Sequence, residues 1–272
     1  MKTKNKKILL FVFGLLSALI AVVANIAQIS QWIGIDNKNT SSPTEIIDNL
    51  LVYTDTLRKT DFKPLDDLMK YLDEQQKNAI NILERQRCLV TMGQFREASG
   101  YYSKAFKYFG MAKELDTRIG DPYYAIGNLY YDLALIDLIR KKRFEMNIED
   151  LVCNFTPDED TKKIFYKATQ EFNSGAKHPL IDDLEPHKLI TTSLHIIEHR
   201  KQQIDNVNAG SKIIKLHPLE KIRLMSWIPA IFPNDKELIS NTTKFTKKLI
   251  DYAADHPEEF VGLLPLKEFL KK

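Results

Sequence analysis

Ala105, Phe109 and Ala112 follow one another at intervals of four and three residues, so they share one face of a helix. Two small residues let a neighbouring helix come close, and the phenyl ring fills the space between them. Gly100, just before this helix, permits a tight turn. On the upstream helix Leu89, Met92 and Gly93 share a face, and downstream Tyr123, Ile126, Gly127 and Tyr130 repeat the arrangement. Gly93 and Gly127 stand 34 residues apart (127 − 93). A period of this length in helix–turn–helix units is the signature of helical repeats, in which each pair buries its apolar face against the next. No alternating run is long enough to predict a strand. Glycine is scarce, 10 residues in 272, and most prolines fall where helices begin or end, which speaks against a turn-rich sheet fold.

The stretches "LVTMG" and "YYAIGNLY" follow a first-helix pattern, a large residue and then an apolar–glycine pair. "GYYSKAFKYFGMAKELD" follows the second-helix pattern. In these residues the chain resembles the tetratricopeptide-repeat (TPR) family. One repeat fits over 86–119, the first helix of another begins at Asp121, and the repeats are best seen over 86–142. The likeness then lapses. Ile139 and Arg143 stand where a small residue and an aromatic are expected, no turn interrupts 121–143, and Arg96 replaces an aromatic in the better repeat. A register moved by seven, with Gly93 in the turn and Ala98, Tyr102 and Ala105 as the code, is the other reading; the 34-residue spacing favours the first. The resemblance implies an α-solenoid that holds a peptide or protein in a groove lined by first helices. The matching groove positions are Arg87, Gln94, Tyr124, Asn128 and Tyr131, and Asn128 matches an asparagine that holds ligand backbone in the family. The lysines of the family's carboxylate-clamp subtype are not evident. Tyr124 and Tyr131 have a second reading, as packing residues within the solenoid.

The N-terminus adds a membrane. Residues 1–7, "MKTKNKK", are basic, and 8–24 are uninterrupted by charge. The uncharged run 8–35 is long enough to span a bilayer as one helix, which needs about 20 residues. Trp32 stands where an interfacial anchor belongs. A cleaved signal peptide is the rival reading, but the run exceeds the usual apolar core of about 7–15 residues. Lys2, Lys4, Lys6 and Lys7 precede the run, and only Lys38 follows before Arg58. The positive-inside rule therefore predicts a single-pass protein with a cytoplasmic N-terminus and its bulk outside the cytoplasm, periplasmic or extracellular. Residues 36–42 read as a short polar tether, and 43–272 as the helical domain.

Within that domain helices are predicted at 43–58, 64–73, 75–97, 101–116, 121–143, 158–174, 186–206, 211–226, 235–254 and 257–270. Ser42-Pro43-Thr44-Glu45 and Thr156-Pro157-Asp158-Glu159 each offer an N-cap hydroxyl, a proline at the first helical position and a glutamate that reaches back. Asn234-Asp235-Lys236-Glu237 is a variant without proline. The fold class is thus all-α, an N-terminal transmembrane helix followed by a TPR-like domain.

Net charge is only +3, which leaves no global footprint for nucleic acid. "HIIEH" at 195–199 has the HxxEH spacing of inverted zinc peptidases, with His195 and His199 as ligands and Glu198 as base. The apolar face of that helix, Ile190, Leu194, Ile197 and Ile204, points both histidines towards solvent, and the chain ends soon afterwards. "RKKR" at 140–143 complements a helix C-terminus, with a lipid headgroup or acidic partner as its functional reading. Cys88 and Cys153 form no zinc spacing and read as separate thiols, or as a disulfide in an oxidising compartment. Three glycosylation sequons, at Asn39, Asn154 and Asn241, matter only in a eukaryotic secretory setting. The leading expectation is a non-enzymatic, membrane-anchored scaffold or adaptor without cofactor. A membrane effector acting through its span, with Gly14, Ser17 and Ala18 as helix contacts, is a second class, and an HxxEH zinc hydrolase a third.

Overall fold

In the computed structural model Gly93 lies so close to Phe109 that a Cβ on the glycine would sit 2.2 Å from the ring. This contact joins α3 (Ile82–Ala98) to α4 (Tyr102–Leu115). Ala105, Phe109 and Ala112 are all fully buried on the facing side. Between the helices Gly100 takes φ 85°, the left-handed region that favours glycine, and lets the Tyr101 N–H donate to the Arg96 carbonyl at 2.8 Å. The turn therefore falls at Ser99–Gly100, and Gly93 lies inside α3 rather than in a turn. Arg96 stacks its guanidinium on the Tyr101 ring at 5.3 Å, so an aromatic contact survives where the aromatic itself is missing.

The structure describes residues 42–57, 63–141, 157–184, 194–209 and 218–255. They are helical throughout, with no strand among them. The remaining helices are α1 (Pro43–Leu57), α2 (Lys63–Asn78), α5 (Asp121–Lys141), α6 (Glu159–Gly175), α7 (Ile181–Leu184), α8 (Leu194–Asn208), α9 (Pro218–Ile231) and α10 (Lys236–Asp255). They divide into two units, α1 to α8 and α9 to α10.

A second interlock repeats the first. A Cβ on Gly127 in α5 would sit 2.5 Å from the Phe172 ring in α6. Phe165, Ala168, Phe172 and Gly175 of α6 are buried, as are Tyr102, Ala105, Phe109 and Ala112 of α4. Each residue of the second set stands 63 positions after its counterpart (172 − 109), against 34 for the glycines. A helix with the same buried face thus stands in α6, 29 residues (63 − 34) further along than the spacing of the glycines. This is why Ile139, taken as a misfit, is simply a buried residue of the prolonged α5.

α5 is buried on nearly every side, with only Tyr123, Asn128, Tyr130, Arg140 and Lys141 reaching solvent to any degree. Its sequence is apolar all round, as a central helix must be. It packs against α4, α6 and α8, while α1 lies over α4, α5 and α6. Asp55 of α1 accepts the Ser103 N–H at 3.3 Å, capping α4, whose own N-cap Tyr101 supplies no capping bond from its side chain.

Helix starts follow side-chain chemistry, with some shifts. Ser42 Oγ accepts the Glu45 N–H at 3.2 Å, as expected. α6 is capped by Asp158, which accepts the Thr161 N–H at 2.8 Å and stands one residue beyond Pro157, so the proline precedes the cap. Asp235 caps α10 through the Leu238 N–H. The expected break after residue 73 does not occur. Asp73 pairs with Lys77 and accepts from Gln76, bridging that point, and the break falls at Asn81, whose Oδ1 accepts from Leu83 and Glu84. α9 runs on past 226 through Pro229, and the short α7 was not foreseen. The 8–35 segment, the predicted helix 257–270, Cys153 and the end of the RKKR run lie outside the described residues. Among the described residues no helix is long and apolar enough to cross a membrane.

Candidate functional site

Asn128, Tyr131 and Asp132 are spaced by three and four along α5 and share one face. Into that face α8 sends Arg200. Its guanidinium donates to Asn128 Oδ1 at 2.7 Å and to the Asn128 carbonyl at 3.4 Å. It also pairs with Asp132 Oδ1 at 3.4 Å and lies over the Tyr131 ring at 4.7 Å. Arg200 is 3% exposed and Asp132 5%, so the pair is almost wholly removed from water. In such surroundings an ion pair holds only while both partners stay, because loss of one leaves a buried charge. Tyr131 is fully buried, its ring edge-on to Phe165 at 5.5 Å.

Of the other expected groove residues, Arg87 and Gln94 lie on α3 and Tyr124 on α5. Arg87 of α3 is buried and pairs with Asp182 of α7 at 3.6 Å. α7 is tied down beside it, since Asp121, the first residue of α5, accepts the Ile181 N–H at 2.7 Å. Burial pushes the Asp121 carboxyl above its usual range, against the opposing pull of that N–H. Tyr124 is buried too, and burial, with the negative charges of Asp121 and Glu198 nearby, raises its hydroxyl. Gln94 and Asn128 are half-exposed. They occupy equivalent places, each following its interlocking glycine. The structure therefore brings Asn128 and Tyr131 together at Arg200, sets Arg87 and Tyr124 near Asp121, and leaves Gln94 apart on α3. In this arrangement Tyr124 and Tyr131 are packing residues.

The HxxEH stretch forms the first turns of α8. That helix faces inward with Ile197, Arg200, Gln203, Ile204 and Val207, all buried, whereas Leu194 is 45% exposed. The buried face is thus centred on Arg200. This rotates His199 out of the solvent position its sequence suggests: it is half-buried, with Nε2 shielded. Glu198 is exposed, and the His195 side chain lies outside the described residues. Among the described residues no group of three metal-binding side chains comes together. Arg140 and Lys141 of the RKKR run are held by Asp137, and Lys141 also by Asp158, which accounts for them within the fold. Cys88 is a buried free thiol.

Asp132, Arg200, Asp121 and Asp182 were not singled out from sequence. The Asn128–Tyr131–Asp132 face was readable there, but its guanidinium comes from a helix 68 residues further on. The described part is an all-α protein built on two interlocked helix pairs. No family model, curated protein or solved structure matches the chain.

Proposed function

We propose that the chain is a non-catalytic interaction module, a TPR-like array of helix pairs anchored to a membrane through residues 8–35, which holds a peptide or protein partner. Supporting the repeat reading is the glycine–phenylalanine interlock, used twice with the same residue code. Supporting a binding face on α3 and α5 is one observation above the rest: half-exposed carboxamides, Gln94 and Asn128, recur at equivalent positions on the two first helices. The Asn128 oxygen is held by Arg200 and the Gln94 oxygen is buried, which leaves the amide N–H donors of the two side chains to meet a partner's backbone carbonyls. The second helices, α4 and α6, are overlaid by α1, which also reaches α5. Supporting a helical domain outside the cytoplasm is the asymmetry of lysines across residues 8–35.

The test is photo-crosslinking in native membranes from the full-length protein, with the reactive group at Gln94 or at the exposed Tyr166 of α6. A discrete adduct from position 94 and none from 166 is expected. Adducts of equal yield from both, or none from 94, would sink this face as the binding surface.

A further inference from the structure

Arg200 sits in a receptor for a guanidinium group, made by a carboxylate, a carboxamide oxygen, a backbone carbonyl and an aromatic face, all on α5. These are the groups that recognise arginine rather than lysine, because the planar fork bonds at its edge and stacks on its face. The helix that delivers Arg200 is attached differently from its neighbours. α3 with α4, and α5 with α6, are locked by a ring seated on a glycine. α8 contains no glycine, and its buried face carries Arg200 and Gln203 between Ile197 and Ile204. It lies across both α5 and α6, and the directional part of its attachment is the polar contact of Arg200, set among Ile197, Ile204 and Val207.

We propose that α8 is an internal ligand, and that the partner is an amphipathic helical segment presenting arginine between two aliphatic residues, which takes the place of Arg200 on Asn128, Tyr131 and Asp132. The energetics favour exchange over simple opening. Departure of α8 alone takes the guanidinium away from the buried Asp132 carboxylate, whereas another arginine can take up the same places on Asn128, Tyr131 and Asp132. The proposal rests on the reading of this chain as a partner-binding module, and it names the chemistry of the partner.

The probe is a fluorescent peptide copying residues 194–208, titrated into the full-length protein and followed by anisotropy. Wild type is expected to bind it weakly and saturably, since its own α8 competes. Arg200→Ala should bind on the order of 10-fold or more tighter, because the competitor has lost its anchor. A peptide with alanine in place of its arginine should lose that gain. If Arg200→Ala loses its cooperative melt, Arg200→Lys is read instead, with a smaller gain that still requires the peptide arginine. Equal affinity for arginine and alanine peptides in folded variants overturns the proposal. So does loss of folding in both variants, since a displaceable helix cannot be indispensable to the fold. Crosslinking from Gln94 does not depend on displacement of α8. A positive result there with a negative one here removes the internal ligand alone.

Discussion

A methyl group added at Gly93 or Gly127 has nowhere to go, because a phenyl ring occupies the space. Both positions lie inside helices, where alanine would otherwise be favoured over glycine by about 0.5–1 kcal/mol. The clash outweighs that preference, so Gly93→Ala and Gly127→Ala are each expected to cost about 1–3 kcal/mol. Gly110 of α4 is the control, with nothing within 4 Å of an added Cβ. Gly110→Ala should stabilise by about 0.5–1 kcal/mol. Urea melts of the three variants check this, and a uniform loss would mean that ring contact is not what the glycines serve. Cys88 is another residue governed by its surroundings. Burial raises its thiol, Glu84 adds to the rise, and Arg87 opposes it. Labelling with a thiol reagent, mapped by mass, should spare Cys88 in the native protein and reach it on unfolding.

Junctions between elements depend on buried carboxylates. Asp137, near the end of α5, accepts the Thr161 hydroxyl at 2.7 Å and so fixes the first turn of α6. Asp137 is almost fully buried and Thr161 wholly so. Thr161→Val keeps the shape but removes the donor to a charged group, and should cost about 1.5–3 kcal/mol in a denaturant melt. At the other end of α5, Asp121 has its carboxyl raised by burial. A group whose folded value lies above its unfolded one contributes stability that is complete below the unfolded value and is lost as pH rises through the folded value. Relative to Asp121→Asn, wild type should therefore gain stability as pH falls from neutrality towards 4, and a flat difference between the two melting series would refute the assignment.

For the whole molecule, the lysine asymmetry across 8–35 makes orientation the decisive measurement. An export-dependent reporter fused after Lys272 should be active and a cytoplasmic one inactive, with the reverse pattern placing the helical domain in the cytoplasm. A chain beginning at Ser41 retains every described helix, and its circular dichroism should be strongly helical.

What the sequence settled by itself was local and periodic. The Ala105–Phe109–Ala112 face, the glycine turn at Gly100 and the all-helical class rest on intervals of three and four residues, which backbone geometry imposes without help from distant chain. The Ala168–Phe172–Gly175 copy obeys the same intervals and was legible too, but 29 extra residues put it outside the expected period. Only tertiary packing decided that α6, and not the end of α5, completes the second pair. Packing also decided which charges are buried. Arg200 and Asp132 each look like solvated residues on a helix, and no local pattern says otherwise. Their burial follows from α8 lying across α5 and α6, with Arg200 meeting Asp132 across 68 residues of chain. A helical period records which residues share a face, and it takes the opposing face, supplied from elsewhere in the chain, to determine what that face meets.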